Sequence, residues 1–340
     1  MKVYTIRDVA AKAGVSVTTV SRVLNQRPDV SKDTQDRVRK VMAECHFVVN
    51  HHARSLKQAE IETIAVIIRG RQNPFLNALT EEMLLCGHGS KAALLTEYID
   101  ESEDEFRYAL ALLQRRRVTG LIFVGSRIDK RCAVLDGVNI PMVFATVSAE
   151  GTPMARASSI SIDDRKMACA AVEALLDRGH EQIAVFGGER SGQDCPALRM
   201  LGVLDAFEKR GIAFNENYYV KTRFTLDDSY AAAQSFFRRS PEVTAVFCMS
   251  DTVALGVIRA LADLGKRVPK DVSVIGVDGI KNGQFTVPRL STIVQPVEEI
   301  ARKSVSVLRD MLENGAPARH VTVEAKLEIR ESVQEAAPGA

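Results

Sequence analysis

The chain has 340 residues, 46% of them hydrophobic and 26% charged, and a formal net charge of +2. That composition excludes a disordered chain, no apolar run reaches membrane-spanning length, and the length predicts two or three domains. Six cysteines, at 45, 86, 132, 169, 195 and 248, form no C-x-x-C pair and no zinc spacing, which predicts reduced thiols, no metal and no cofactor. The opening Met1-Lys-Val-Tyr-Thr lacks an apolar signal region, so retention in the cytoplasm is expected.

Charge is unevenly placed. Residues 1–60 hold 11 Lys and Arg against 6 Asp and Glu, whereas the remainder holds 34 against 37. The basic excess sits in the N-terminal stretch, where it can neutralise phosphates; the rest of the chain has no reason to attract nucleic acid.

The first predicted helix opens at Thr5, with Asp8 three residues on to satisfy orphan N–H groups. Ile6, Val9, Ala10 and Ala13 then follow i, i+3, i+4, i+7 and bury one face. Gly14 suits a left-handed stop, and Ser16 can cap a second helix after a short turn. In that helix Val20, Val23 and Leu24 point inward, which leaves Val17, Thr18, Ser21 and Arg22 on the solvent face near its start. Methyls and hydroxyls there can meet a thymine methyl or a base edge, and arginine can donate twice to guanine. A third helix, capped by Ser31, carries Val38, Val41, Met42 and Cys45 at the same spacing and closes a three-helix core. The pattern reads as a DNA-binding helix-turn-helix.

The stretch Thr5-Ile-Arg-Asp-Val-Ala-Ala-Lys-Ala-Gly-Val-Ser-Val-Thr-Thr-Val-Ser-Arg-Val-Leu-Asn25 closely resembles the headpiece of the lactose-repressor (LacI/GalR) family, with pattern T-I-x-D-V-A-x-x-A-G-V-S-x-x-T-V-S-R-V-L-N. Together with the outward face, the resemblance implies DNA contact by Thr5, Ser16, Val17, Thr18, Thr19, Ser21, Arg22, Asn25 and Ser31 on a pseudo-palindromic double-stranded operator.

Residues 50 to 56 are long enough for two helical turns, a length that is marginal in isolation. Ala53-Arg54-Ser55-Leu56 is similar to the family's hinge helix, which implies minor-groove contact by Asn50, Ala53 and Leu56, the leucine acting as a wedge between base steps. Val49 departs from the proline usual before that asparagine. His51 and His52 are adjacent and share no helical face, so phosphate contact or exposure is expected of them and not metal binding.

From Thr63 onward apolar runs alternate with helical stretches, the signature of parallel sheets. Strands are predicted at 64–68, 92–96, 120–124, 141–146, 159–162, 182–186, 218–221, 245–249, 272–276 and 290–294, with a final strand region at 320–330. The fold class expected is an all-α helix-turn-helix headpiece plus an α/β body of two wound parallel-sheet lobes, which the resemblance makes periplasmic-binding-protein-like. The domains expected are a headpiece at 1–49, a hinge helix and linker at 50–60, a body at 61–330 and a tail at 331–340. Lobe 1 is placed at about 61–158 plus 291–319, and lobe 2 at about 159–290 plus 320–330, with crossings near 160, 290 and 320. The tail, ending Ala-Ala-Pro-Gly-Ala, lacks leucine heptads, which favours a homodimer over a tetramer.

Open sheets bind ligands beyond the carboxyl ends of their strands. By that rule and by the resemblance, the effector contacts expected are Phe75, Thr146, Arg199, Phe224, Ser250, Asp251 and Asp278, with Asp251 also suited to a helix start. Thr146 stands where sugar-responsive members often carry aspartate, so the effector class stays open among sugars, sugar derivatives, nucleosides and purines.

Catalytic patterns are thin. Gly187-Gly188-Glu-Arg-Ser-Gly192 fits neither a dinucleotide fingerprint nor a P-loop, there is no G-x-S-x-G or H-E-x-x-H, and Asp163-Asp164 sit at a helix start. The chain reads as a non-enzymatic transcription regulator and a repressor. Two controls on it remain open: a small molecule between the lobes, or a partner protein in its place.

Overall fold

The computed structural model describes residues 6–24, 30–44, 63–87, 92–115, 117–190 and 194–336. It divides into two units, Met1–Ile61 and Glu62–Ala340. In the first, α1 (Ile6–Ala13), α2 (Val17–Leu24) and α3 (Lys32–Glu44) pack on a core of Val9, Ala10, Ala13, Val20, Val23 and Val38. Gly14 takes φ +66° and ends α1, and the Ser16 hydroxyl accepts the Thr19 N–H at 3.1 Å to start α2. The helix-turn-helix spacing thus follows from one glycine and one serine. Thr5, Asn25, Cys45 and the whole hinge stretch with Asn50, Ala53 and Leu56 lie outside the described residues.

The second unit contains two six-stranded sheets. Lobe 1 runs β1 (Thr63–Arg69), α4 (Pro74–Gly87), β2 (Ala93–Ile99), α5 (Glu105–Arg115), β3 (Val118–Val124), β4 (Met142–Ala145) and β5 (Ala157–Ser161). Lobe 2 runs α6 (Asp164–Leu176), β6 (Ile183–Gly187), α7 (Cys195–Lys209), β7 (Tyr219–Lys221), α8 (Leu226–Arg239), β8 (Ala245–Cys248), α9 (Asp251–Asp263), β9 (Ser273–Asp278) and β10 (Ser291–Val294). The chain then gives α10 (Val297–Glu313) and β11 (His320–Thr322) to lobe 1 and β12 (Lys326–Glu328) to lobe 2. Sheet orders are β11-β5-β4-β3-β1-β2 and β12-β10-β9-β8-β6-β7, parallel throughout except where β12 meets β10.

The inner strands are buried on both faces, which is why they read as unbroken apolar runs. In lobe 1 the Phe123 and Phe144 rings stack 4.7 Å apart with Phe106 tilted against them; Phe186, Phe236 and Phe237 cluster likewise in lobe 2. Among the described residues no helix is long and apolar enough to cross a membrane.

The lobe boundaries need correction. β5 pairs with β4 and β11 and so belongs to lobe 1, while β10 pairs with β9 and belongs to lobe 2. The polar stretch after residue 146 is a loop between neighbouring strands of one sheet, and 320–330 is two short strands, one for each sheet. The crossings fall at 162–163, 295–296 and 323–325, because strand pairing decides where a lobe ends and loop composition does not.

Both sheets follow the 2-1-3-4-5 winding, so order reverses beside β1 and beside β6. The crevices at those two reversals open towards a shared cavity. Lobe 2 stays rigid around it through the packing of α6 on α7, where Gly202 is the point of closest approach: a Cβ there would lie 2.1 Å from the Arg165 carbonyl oxygen. Gly202→Ala should therefore lower the urea midpoint by the equivalent of about 2 kcal/mol, as overpacking does; an unchanged midpoint would show that the helices part freely.

Candidate functional site

Between the lobes lies a cavity of about 660 Å³, within the range of small-molecule sites. Its floor is built from lobe 2. Arg199, in the second turn of α7, donates through Nε to Asp164 Oδ1 at 2.7 Å and through Nη1 to the Met249 carbonyl. Both side chains of the pair are almost fully buried. Burial alone would favour loss of the arginine proton, but the Asp164 carboxylate outweighs it and keeps the guanidinium charged.

Asp278 ends β9 beside that arginine. Its Oδ1 accepts from Gln295 Nε2 at 2.9 Å, and burial pushes its carboxyl well above the usual range. Its φ is +119°, and Thr146, across the cavity at the end of β4, has φ +85°. These are the two non-glycine residues with positive φ among the described residues, and both line the cavity. Such conformations cost energy and persist where the surroundings over-determine them, as at ligand sites.

Phe75 and Phe224 border the cavity, one buried at the start of α4 and the other half-buried after β7. Ser250 borders it too, with its hydroxyl accepting the Val253 N–H at 3.2 Å as the cap of α9. Asp251 does not reach the cavity, and the expectation that it touches an effector is corrected. Its Oδ1 accepts from the Thr292 hydroxyl at 2.6 Å and its Oδ2 from the Ile280 N–H at 2.8 Å. Burial raises its pKa to about 7 against the pull of those donors. The first turn of α9 faces β9 and β10, so this carboxylate holds the turn that presents Asp278.

Several lining residues escaped the sequence reading: Arg69, Arg127, Asp194, Cys195, Lys221 and Arg223. Arg69 and Lys221 are the last residues of β1 and β7, and Arg127 stands three residues after β3, so the strand-end rule alone would have found them. Behind the lobe 1 wall lies Glu105, fully buried, whose Oε1 accepts the Arg127 N–H at 2.9 Å; its Oε2 is 3.5 Å from Arg69 Nε. Burial raises this carboxyl as well.

In the first unit, α2 presents Val17, 42% exposed, with Thr18 and Arg22 exposed and Ser21 half-buried on the same outward face. Thr19 is half-buried and takes part in the turn with Ser16, while Ser31 is exposed and bonds the Thr34 hydroxyl at 2.9 Å. An apolar valine beside hydroxyls and a cation on an otherwise solvated helix face is the mixture that a major groove accepts. Among the described residues no group of three or more His, Cys, Asp or Glu could hold a metal ion.

Residues 150–333 match the profile of a periplasmic binding protein-like domain, and residues 5–50 match that of bacterial regulatory proteins of the lacI family. The chain is 32% identical over 312 residues to the HTH-type transcriptional repressor CytR of Escherichia coli (strain K12), covering 91% of this chain and 90% of that protein. Among solved structures it is similar to the lac repressor dimer bound to operator and the anti-inducer ONPF, at TM-score 0.77, 25% identity and coverage of 98% and 100%. It is also similar to a complex of the transcriptional regulator CelR with cellobiose, at TM-score 0.72, 26% identity and coverage of 97% and 99%. With a helix-turn-helix at one end and a two-lobed cleft in the body, this chain belongs to the lacI family of bacterial regulatory proteins, which are DNA-binding transcription regulators.

Proposed function

We propose that the protein is a homodimeric, operator-specific repressor in the cytoplasm whose affinity for DNA is set by a small molecule bound between the lobes. The observation that carries this reading is the buried floor of Arg199 and Asp278 under a roomy cavity, with Asp164 holding the arginine from behind. A carboxylate accepts and a guanidinium donates, so the floor suits a ligand rich in hydroxyl or ring N–H groups: a sugar, a sugar derivative, a nucleoside or a purine. A sugar occupies the CelR relative and a dimer on operator is formed by the lac repressor, which supports both parts of the proposal.

In this reading α2 enters the major groove of each half-site through Val17, Thr18, Ser21 and Arg22, and Leu56 of the hinge stretch wedges the minor groove. Ligand binding changes the relation of the lobes, and with it the spacing at which paired hinge stretches can fold on DNA. A hinge of two turns is marginal, so small changes in spacing decide whether it forms. Lobe 2 offers the dimer a mixed surface, where Phe285 and Val287 stand exposed and a groove is lined by Ile258, Ala262, Val268 and Pro288 together with Lys266 and Arg267.

Thermal-shift measurements against sugars, sugar phosphates, nucleosides and purines test the sensor. They need an external dye, because the chain has no tryptophan. One class should stabilise the protein saturably, by about 2.7 kcal/mol at a hundredfold excess over Kd. Asp278→Asn should weaken that ligand at least about tenfold while ligand-free operator affinity stays within about twofold, since the amide loses one acceptor and keeps the shape. Stabilisation that survives in Asp278→Asn and in Arg199→Lys would place the ligand elsewhere.

The DNA side is tested by binding-site selection. Arg22→Ala should relax preference at one base position of each half-site and cost about 1–3 kcal/mol on the selected site. A uniform loss over all sequences would make Arg22 a phosphate contact and remove it from the reading surface.

A further inference from the structure

Each lobe sends one arginine across the mouth of the cleft to a carboxylate of the other. From lobe 1, Arg127 Nε lies 3.3 Å from Asp194 Oδ2, whose Oδ1 caps α7 by accepting the Ala197 N–H at 3.1 Å. From lobe 2, Arg223 Nη2 lies 3.4 Å from Asp100 Oδ1, and its Nε lies 3.6 Å from Glu101 Oε2. Both arginines also have a carboxylate within their own lobe, at slightly greater distance. Arg127 Nε is 3.9 Å from Asp129 Oδ2, and Arg223 Nε is 3.8 Å from Asp228 Oδ2.

That arrangement has a physical consequence. Separating two lobes held by simple ion pairs would strand charges, at high cost for the partly buried Arg127 and the nearly buried Asp194. Here each arginine keeps a second, more distant carboxylate in its own lobe as the cleft opens, Asp129 being shared with Arg131, so the separation trades a closer pair for a weaker one and does not strand the charge. The equilibrium is kept shallow, and a ligand needs only modest differential affinity to shift it.

We propose that Arg127 and Arg223 are positioning residues that form a two-place latch, paired across the cleft when the lobes are closed and within their own lobes when they are open. The latch sets how readily the cleft opens, and so how large a response a given effector can produce. It rests on the reading of the body as a two-lobed sensor; both arginines also line the cavity, and the latch is their action on the lobe equilibrium, which a measurement without effector isolates. The Arg127 arm carries more of it, because its side chain and that of Asp194 are 27% and 5% exposed, against 54% and 47% for Arg223 and Asp100.

The seam between the lobes contains its own reporter. Cys195, the first residue of α7, lines the cavity, and its Sγ donates to the Thr146 carbonyl oxygen of lobe 1 at 3.2 Å. Burial pushes this half-buried thiol well above its ordinary pKa, which lowers its thiolate fraction and slows alkylation. Opening breaks the S–H···O contact, hydrates the sulfur and returns its acidity towards normal, and both effects speed alkylation. Cys132 and Cys248 are buried within the cores of lobe 1 and lobe 2 and report only unfolding.

The test is the rate of maleimide labelling of each cysteine, resolved by peptide mass spectrometry on the full-length protein without effector. Arg127→Gln should raise the Cys195 rate about tenfold and Arg223→Gln about threefold, the smaller value reflecting an exposed pair. Cys132 and Cys248 should stay protected, and Arg259→Gln, which breaks a surface pair with Asp263, should leave Cys195 unchanged. Unchanged Cys195 labelling in both latch variants overturns the proposal. If all thiols accelerate together, the variants are unfolding and the wild-type protein decides. Raising NaCl from about 50 mM to about 1 M must then speed Cys195 alone, and a salt-independent rate overturns the latch. Because no effector enters the experiment, it can fail while the ligand panel succeeds, and the reverse.

Discussion

A buried arginine is the constraint on which the cleft depends. Arg199 is charged and almost out of reach of water, and an uncompensated ion in that position costs several kcal/mol. Its neutralisation draws Asp164 from the start of α6, the Met249 carbonyl from the end of β8 and the field of Asp278 from the end of β9 onto one helix. Four elements of lobe 2 are thereby fixed about one guanidinium. The strained backbone of Asp278 is held in turn by Asp251, which anchors the following turn through the Ile280 N–H and the Thr292 hydroxyl. A polar floor of this kind is rigid because every member is another's partner.

Lobe 1 is built differently at the same cleft. Its strand-end loops are tied from behind by Glu105, and its arginines lie higher on the wall and closer to solvent. A fixed floor facing a wall tied from behind fits a division of labour in the proposed mechanism, with lobe 2 selecting the ligand and lobe 1 with the latch setting how the lobes respond. Response is what the proposed mechanism requires of the body, since the reading surface assigned to α2 needs only to be delivered to DNA at the right spacing.

Much of this was legible in the residues. The helix-turn-helix follows from local signals: Gly14 and Ser16 at the turn, Val20 and Val23 at helical spacing, and Val17 and Arg22 left outside. The strands were readable because parallel strands buried on both faces are apolar without interruption. Arg199 and Asp278 were readable from the strand-end rule and family resemblance together. The misreadings share one cause, which is that pairing over long sequence distances has no local signature. Asp251 looks like a residue facing a crevice until Thr292, 41 positions away, is seen to claim its oxygen. Composition alone points to a lobe boundary at a polar loop, whereas the deciding fact is the pairing of β5 with β11, and Arg223 gives no sign in its own segment that its partner is 123 residues earlier.

The central claim is that the cleft and the DNA-reading face are energetically coupled, and coupling between two binding sites is reciprocal. The most direct measurement is therefore a thermodynamic square. The affinity for selected operator DNA is measured with and without the stabilising ligand, and the affinity for that ligand is measured with and without operator. Each partner should change the other's affinity by the same factor, between about 5-fold and 150-fold, the usual size of such couplings. A ligand that binds the cleft with the same affinity whether or not operator is present would contradict it, because the body would then be a receptor with no hold on the headpiece.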